Sequence, residues 1–206
     1  SGATAVGSGA ADVAGSQTTL TAVGYNALGV STAGNNNTAV GSASLQTVDG
    51  SENTAVGWAA LGADCVSNNV GIGDRSLQVF TGSGATVVGS KAADAAVGNT
   101  NLTAVGYNAL GAATSGNNNT AVGSAALQTV DGAQNTAVGS TALNADCVSD
   151  NTGIGYNALK VFTGSNATAI GSGAADVAVG NANITAIGYN ALGSATSGGN
   201  NTAVGA

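Results

Sequence analysis

The chain has 206 residues, of which 34 are glycine, only 6% are charged, and none is proline, methionine or histidine. Its formal net charge is −7 with three basic residues, Arg75, Lys91 and Lys160, which argues against a surface for nucleic acid. The lack of histidine excludes the usual nucleophilic triads, and no apolar run approaches the roughly 20 residues of a membrane helix.

A four-residue pattern, Thr-Ala-Val-Gly with small changes, recurs thirteen times at spacings of 16 or 17 residues. Such a fixed period overrides the expectation of one or two globular domains and predicts a solenoid. With the first residue of the pattern as position 0, position 2 is always Val or Ile and position 3 is always Gly. Position 7 is Leu in nine of the twelve coils that reach it. The copies begin at Thr4, Thr21, Thr38, Thr54, Val70, Thr86, Thr103, Thr120, Thr136, Thr152, Thr168, Thr185 and Thr202.

The three coils without Leu at position 7 reveal a longer period of 82 residues, because Ala11, Ala93 and Ala175 stand there instead. Five coils therefore form one superblock. We expect residues 1–206 to be a single continuous segment of a longer repeat array, since both ends fall in mid-repeat. The superblocks are 4–85, 86–167 and a partial one at 168–206.

Each coil is too short for a helical repeat and shows no helical spacing of apolar residues. The sequence therefore predicts an all-β fold: a parallel β-solenoid, or β-roll, of about 12 coils of 16–17 residues. We expect two short strands per coil, at positions 0–3 and 5–8. The Val/Ile row at position 2 and the Leu row at position 7 are the expected core, with Ala at position 1 facing the other way. That small Ala and Gly side is the expected packing face between chains.

The recurring Asn-Thr-Ala-Val-Gly, followed by a small residue and Ala-Leu, resembles the head repeats of trimeric autotransporter adhesins. It is also similar to repeats in phage tail fibres and related bacterial surface proteins. The resemblance covers the whole chain and implies a left-handed parallel β-roll assembled as a homotrimer. The adhesin repeats are shorter, at about fourteen residues, and the tail-fibre repeats look like the closer match.

Two kinds of residue are candidates for binding or cross-linking. Cys65 and Cys147 are five coils apart, roughly 24 Å along the axis, which is too far for a disulfide within the chain. They are interpreted either as small buried hydrophobes or as interchain cysteines. Aromatic side chains at position 4 either cover a coil edge or stack on a sugar: these are Tyr25, Trp58, Tyr107, Tyr156 and Tyr189.

The acidic residues give no clear metal site. Asp49 and Asp64 lie on adjacent coils at nearly matching positions, so they could hold Ca²⁺, but turn formation and solubility explain them as well. The Asn residues of Asn36-Asn37-Thr38 and its copies are expected to form hydrogen-bonded ladders along the stack.

These observations predict a structural or adhesive fibre segment of an extracellular bacterial or phage appendage, on a cell surface or virion, with no catalysis, metal or cofactor. Self-association as a homotrimer or filament is expected, without nucleic acid or membrane insertion. A receptor- or glycan-binding head with a cell-surface partner is an alternative. Ice binding is a further alternative, and it requires Thr and Val to point outward together with only Ala, Gly and Leu inside.

Overall fold

The structure is a computed structural model that describes residues 2–12, 18–30, 33–180, 182–195 and 197–206. Within these residues it contains thirteen strands of three residues each and no helix, so none that could span a membrane. Each strand occupies positions 0–2 of one coil. The strands are β1 (Thr4–Val6), β2 (Thr21–Val23), β3 (Thr38–Val40), β4 (Thr54–Val56), β5 (Val70–Ile72), β6 (Thr86–Val88), β7 (Thr103–Val105), β8 (Thr120–Val122), β9 (Thr136–Val138), β10 (Thr152–Ile154), β11 (Thr168–Ile170), β12 (Thr185–Ile187) and β13 (Thr202–Val204).

The chain divides into two compact units, Ser1–Leu102 and Thr103–Ala206. In the first unit β1 to β6 pair in sequence order, all parallel and in register. In the second unit β7 to β13 do the same, so that Thr lies over Thr and Val or Ile over Val or Ile. Each unit is therefore a parallel β-solenoid with coils of 16 or 17 residues, which confirms the predicted fold class.

The side chain at position 1 of each strand points into the interior, and the side chain at position 2 points outward. Ala39, Ala55 and Ala121 are fully buried, whereas Val40 and Val122 are 37% exposed. Alternation of side chains along a strand puts Thr at position 0 on the outer face together with Val or Ile. The prediction of a Val/Ile core was therefore wrong, and so was the prediction that the Ala side packs between chains. The predicted Leu row is confirmed, with Leu45, Leu61 and Leu127 fully buried.

The segment after each strand is a series of turns, so the second predicted strand does not form. Positions 5 and 7 both adopt positive φ, as at Ala43 (56°) and Leu45 (47°) in the coil of β3, which is a left-handed conformation incompatible with a strand. Hydrogen bonding between coils continues through these turns. The position-7 N–H donates to a carbonyl of the next coil, as Leu45 N does to Ala60 O at 3.0 Å.

Gly at position 3 joins the strand to the turns. At Gly24 φ is 136°, and a Cβ would lie 2.6 Å from the carbonyl oxygen of Gly41 on the next coil. Only glycine adopts this conformation readily while allowing so close a backbone approach, which explains why Gly fills this position in all thirteen coils.

A row of buried Asn side chains precedes the strands and links successive coils. Asn53 N–H donates to Asn37 Oδ1 at 2.9 Å, and Asn69 N–H donates to Asn53 Oδ1 at 3.0 Å. The Asn53 amide nitrogen also donates to Val66 O at 3.0 Å. Asn119, Asn135 and Asn151 repeat this arrangement in the second unit. The predicted Asn ladders are thus confirmed, and they satisfy polar backbone groups that are buried from water.

Candidate interaction surfaces

The outer side of the strands, positions 0 and 2, forms a surface that we call the Thr/Val face. Within each unit most side chains at position 2 are exposed to between 36% and 40% of their surface. Val56 is half-buried, and the side chains on the outer strands are more exposed, at 58% for Val6 and 74% for Val204. The Thr row beside it is at least partly exposed, and no charged residue lies on these strands. The result is an uncharged face of methyl and hydroxyl groups with a regular spacing of about 4.8 Å along the stack.

The aromatic residues predicted at position 4 all lie at the surface. Their exposed fractions range from 52% for Trp58 to 64% for Tyr189. Arg75 on the next coil places its guanidinium 5.7 Å from the Trp58 ring centroid, within the range of a cation–π contact. Arg75 also pairs with Asp74 at 3.4 Å. The remaining members of the set are Tyr25, Tyr107 and Tyr156.

Both cysteines are free within the chain and lie in the interior, at 2% exposure for Cys65 and 1% for Cys147. Burial raises the pKa of Cys65 to about 11 and that of Cys147 to about 12, against the opposing effect of hydrogen bonds from Asn69 and Asn151. The interpretation as small buried hydrophobes fits this placement. An interchain disulfide would require each thiol to leave the interior.

The acidic residues act as hydrogen-bond acceptors for neighbouring coils. Asp64 Oδ1 accepts from Asp49 N–H at 3.0 Å, and Asp49 Oδ1 accepts from Ala33 N–H at 3.0 Å. No group of three or more metal-ligating acids or cysteines occurs in the described ranges. Asp94 is set apart because burial raises the pKa of its carboxyl, while Arg75 and Lys91 act in the opposite direction. The calcium interpretation of Asp49 and Asp64 gains no support from this geometry.

The main sequence prediction did not use the Thr/Val face, since hydrophobicity assigned Val and Ile to the interior and only the ice-binding alternative required Thr and Val to point outward. The described part of the chain contains no pocket, so the candidate surfaces are these two exposed rows. Among known proteins, no family model, curated protein or solved structure matches the chain.

Proposed function

We propose that the chain is a segment of an extracellular structural fibre, of the kind carried by bacterial surfaces or virions, and that copies associate through the Thr/Val face. The observation that carries this proposal is the row of exposed Val and Ile at position 2, with six members in the first unit and seven in the second. Contiguous exposed apolar surface of this kind is uncommon on monomeric proteins and marks interaction sites.

The energetic argument depends on repetition. Burying the remaining third or so of one Val or Ile side chain contributes roughly 0.5–1 kcal/mol. One coil therefore gains too little to hold two chains together against the loss of translational and rotational freedom. Six or seven coils in one unit multiply the gain to several kcal/mol, so association through this face requires many coils in register.

A closed assembly buries a self-associating face more completely than an open assembly does. Two or three copies that turn the same face toward a common axis cover it completely. The resemblance to trimeric adhesin heads favours three copies. The outward loops and the position-4 side chains then remain available on the fibre surface for a receptor or glycan.

The mass of the native assembly, measured by sedimentation over a range of concentrations, tests this proposal. We expect a multiple of the monomer mass, most simply three. Val122→Lys places a charge in the middle of the face and is expected to shift the assembly to monomer. Val148→Lys is the matched control, because Val148 is 56% exposed but lies outside the strands. A wild-type monomer at all concentrations, or equal dissociation by both variants, would refute the proposal.

Ice binding is a second candidate, favoured by the same face. Its requirement was that Thr and Val point outward together with only Ala, Gly and Leu inside; the outward face is found, but the interior also holds Phe80, Phe162 and both cysteines. The second unit carries seven consecutive Thr at position 0, whereas Val70 interrupts the row in the first unit. Thermal hysteresis decides between the candidates, because a face covered by other copies cannot contact ice. Hysteresis from a monomer, abolished by Val122→Lys, would favour ice binding over the fibre.

A further inference from the structure

Aromatic residues are concentrated at one position of the repeat for no reason that the fold requires. Five of the seven aromatic side chains stand at position 4, and the other two, Phe80 and Phe162, are in the interior. Other coils carry Ser at position 4, as at Ser42, Ser124 and Ser140, with the same sequence of positive-φ residues around it. Since coils fold alike with Ser or an aromatic residue there, the exposed rings serve something other than coil formation.

Four of the five rings form two pairs, and the two members of each pair are two coils apart. Tyr25 and Trp58 flank Ser42 in the first unit, and Tyr156 and Tyr189 flank Ser172 in the second. Backbone hydrogen bonds hold this spacing, because each position-4 carbonyl accepts from position 5 of the next coil. Gly173 N–H donates to Tyr156 O at 2.8 Å and Asn190 N–H donates to Ser172 O at 2.9 Å. The members of a pair are therefore about 9.6 Å apart along the stack, with a small side chain between them.

That spacing matches one class of ligand. In an extended β-1,4-linked glycan, every second sugar presents the same apolar face, and two sugar lengths correspond closely to two coils. A flat aromatic side chain with one polar end is suited to stack on such a face. The row in the second unit is uncharged, with Asn157 and Asn190 following the two tyrosines. We infer that each aromatic pair binds an extended β-1,4-linked glycan that runs along the coil stack, and the uncharged pair of the second unit fits a neutral one.

This inference adds a binding activity to the proposed fibre and does not depend on association through the Thr/Val face. The competing explanation is that the rings pack between copies of the chain. In that case substitution of the rings would change the assembly mass and leave no sugar binding to lose. The two explanations therefore predict different results in the same set of variants.

The test is calorimetric titration of the full chain with cellohexaose and with chitohexaose, using maltohexaose as the curved α-1,4-linked control. We expect one of the β-linked hexasaccharides to bind at two sites per chain. Trp58→Ser removes the first pair and reduces this to one site. Adding Tyr189→Ser weakens the remaining site about tenfold or more. Adding Tyr107→Ser instead leaves it intact, because the residue two coils from Tyr107 in its unit is Ser140.

A gain-of-function variant guards against a merely structural effect. In the Trp58→Ser background, Ser140→Tyr completes a pair with Tyr107 and is expected to restore the second site. Circular dichroism and sedimentation verify that each variant keeps its fold and mass. Binding of neither β-linked sugar, binding of maltohexaose with equal strength, or full retention of binding by Trp58→Ser/Tyr189→Ser would overturn the inference. Glycan binding by the monomeric Val122→Lys variant would support this site even if the fibre proposal fails.

Discussion

Replacement of Asn135 by Ala tests the most specific stabilising feature of the solenoid, its interior amide ladder. The side chain is fully buried. Its Oδ1 accepts from Asn151 N–H at 3.0 Å, and its Nδ2 donates to Val148 O at 3.0 Å. The backbone N–H of Asn135 donates to Asn119 Oδ1 at 2.9 Å and keeps that bond in the variant. Truncation therefore leaves the buried Asn151 N–H without its partner, whereas Val148 O still accepts from Asn151 Nδ2 at 3.2 Å.

Each buried polar group that loses its partner costs about 1–3 kcal/mol. The unpaired Asn151 N–H, together with about 0.5–1.5 kcal/mol for the bond lost at Val148 O, gives an expected loss of about 1.5–4.5 kcal/mol in the free energy of unfolding. The packing that is lost with a small polar side chain adds little to this. A change of this size is a large fraction of the 5–15 kcal/mol by which typical domains are stable.

Urea denaturation followed by circular dichroism measures the change. The matched control is Gln134→Ala, which removes an exposed amide from the adjacent residue and is expected to change the free energy of unfolding by no more than about 0.5 kcal/mol. Equal effects of the two substitutions would show that the ladder contributes nothing beyond surface polarity. A loss below about 1 kcal/mol for Asn135→Ala would likewise refute the reasoning.

Three further predictions follow from the turns, the thiols and the acids. Gly123→Ala should lower the free energy of unfolding by about 3–5 kcal/mol through backbone strain and overpacking, because φ is 136° and the added Cβ would lie 2.5 Å from Gly139 O. Gly180→Ala is the control: φ is 69° and the space around it is open, so it should cost about 1–2 kcal/mol. Equal losses of the two variants in urea denaturation would contradict this prediction. The thiol pKa values of Cys65 and Cys147 are raised in the folded state. The stability that the protonated thiols contribute is therefore complete below the unfolded pKa near 9 and falls as pH rises towards 11. Urea denaturation midpoints measured from about pH 8 to about pH 11 should fall with pH in the wild type, and this fall should be smaller when both cysteines are replaced by Ala. Asp131→Ala removes the acceptor for the backbone N–H groups of residues 114 and 115 and should cost about 1–2 kcal/mol at this exposed site, whereas a neutral result in urea would show that water replaces the carboxylate.

The period and the parallel stacking were readable from the sequence, but the choice of inner face was not. Alternation places either the Val row or the Ala row inside, and hydrophobicity favoured Val. The structure shows that the room left inside the coil determines which row points inward. At Gly71, in position 1, even an added Cβ would lie 3.2 Å from the Leu61 side chain of the preceding coil. The row of Leu at position 7 fills the narrow interior, and most coils then have room for only Ala or Gly opposite it.

The residue types at positions 5–8 indicate turns and not the second strand that the sequence analysis predicted. Position 5 is Asn in several coils, as at Asn26, Asn108 and Asn157, and Asn adopts the left-handed conformation more readily than most residues. The β-branched residues Val, Ile and Thr, which suit strands, are almost absent from positions 5–8. Ladder hydrogen bonds do not require extended backbone, so identical turns stack in register as well as strands do.

The candidate surfaces were predicted unequally. The internal Asn ladders follow from their position in the repeat and are found where expected, whereas the sequence left the aromatic residues open between covering a coil edge and stacking on a sugar, and they are exposed. The Thr/Val face entered only as the requirement of the ice-binding alternative, because its recognition depends on the inward direction of Ala. The pairing of rings over two coils is visible in the sequence only after the structure fixes position 4 as an exposed row with one residue per coil.

The contrast between positions 0 and 2 bears directly on what covers the outer face. Thr and Val have nearly the same shape and both suit a strand, so a strand face in water has no need of Val where Thr serves. Position 0 is Thr in twelve of thirteen coils, yet position 2, on the same face, is Val or Ile in all thirteen. Simple coil formation does not account for that restriction, since the interior is already closed by Ala and Leu. A surface that meets an apolar or ordered partner does account for it, which is why the proposed function rests on this row rather than on the resemblance of the repeats.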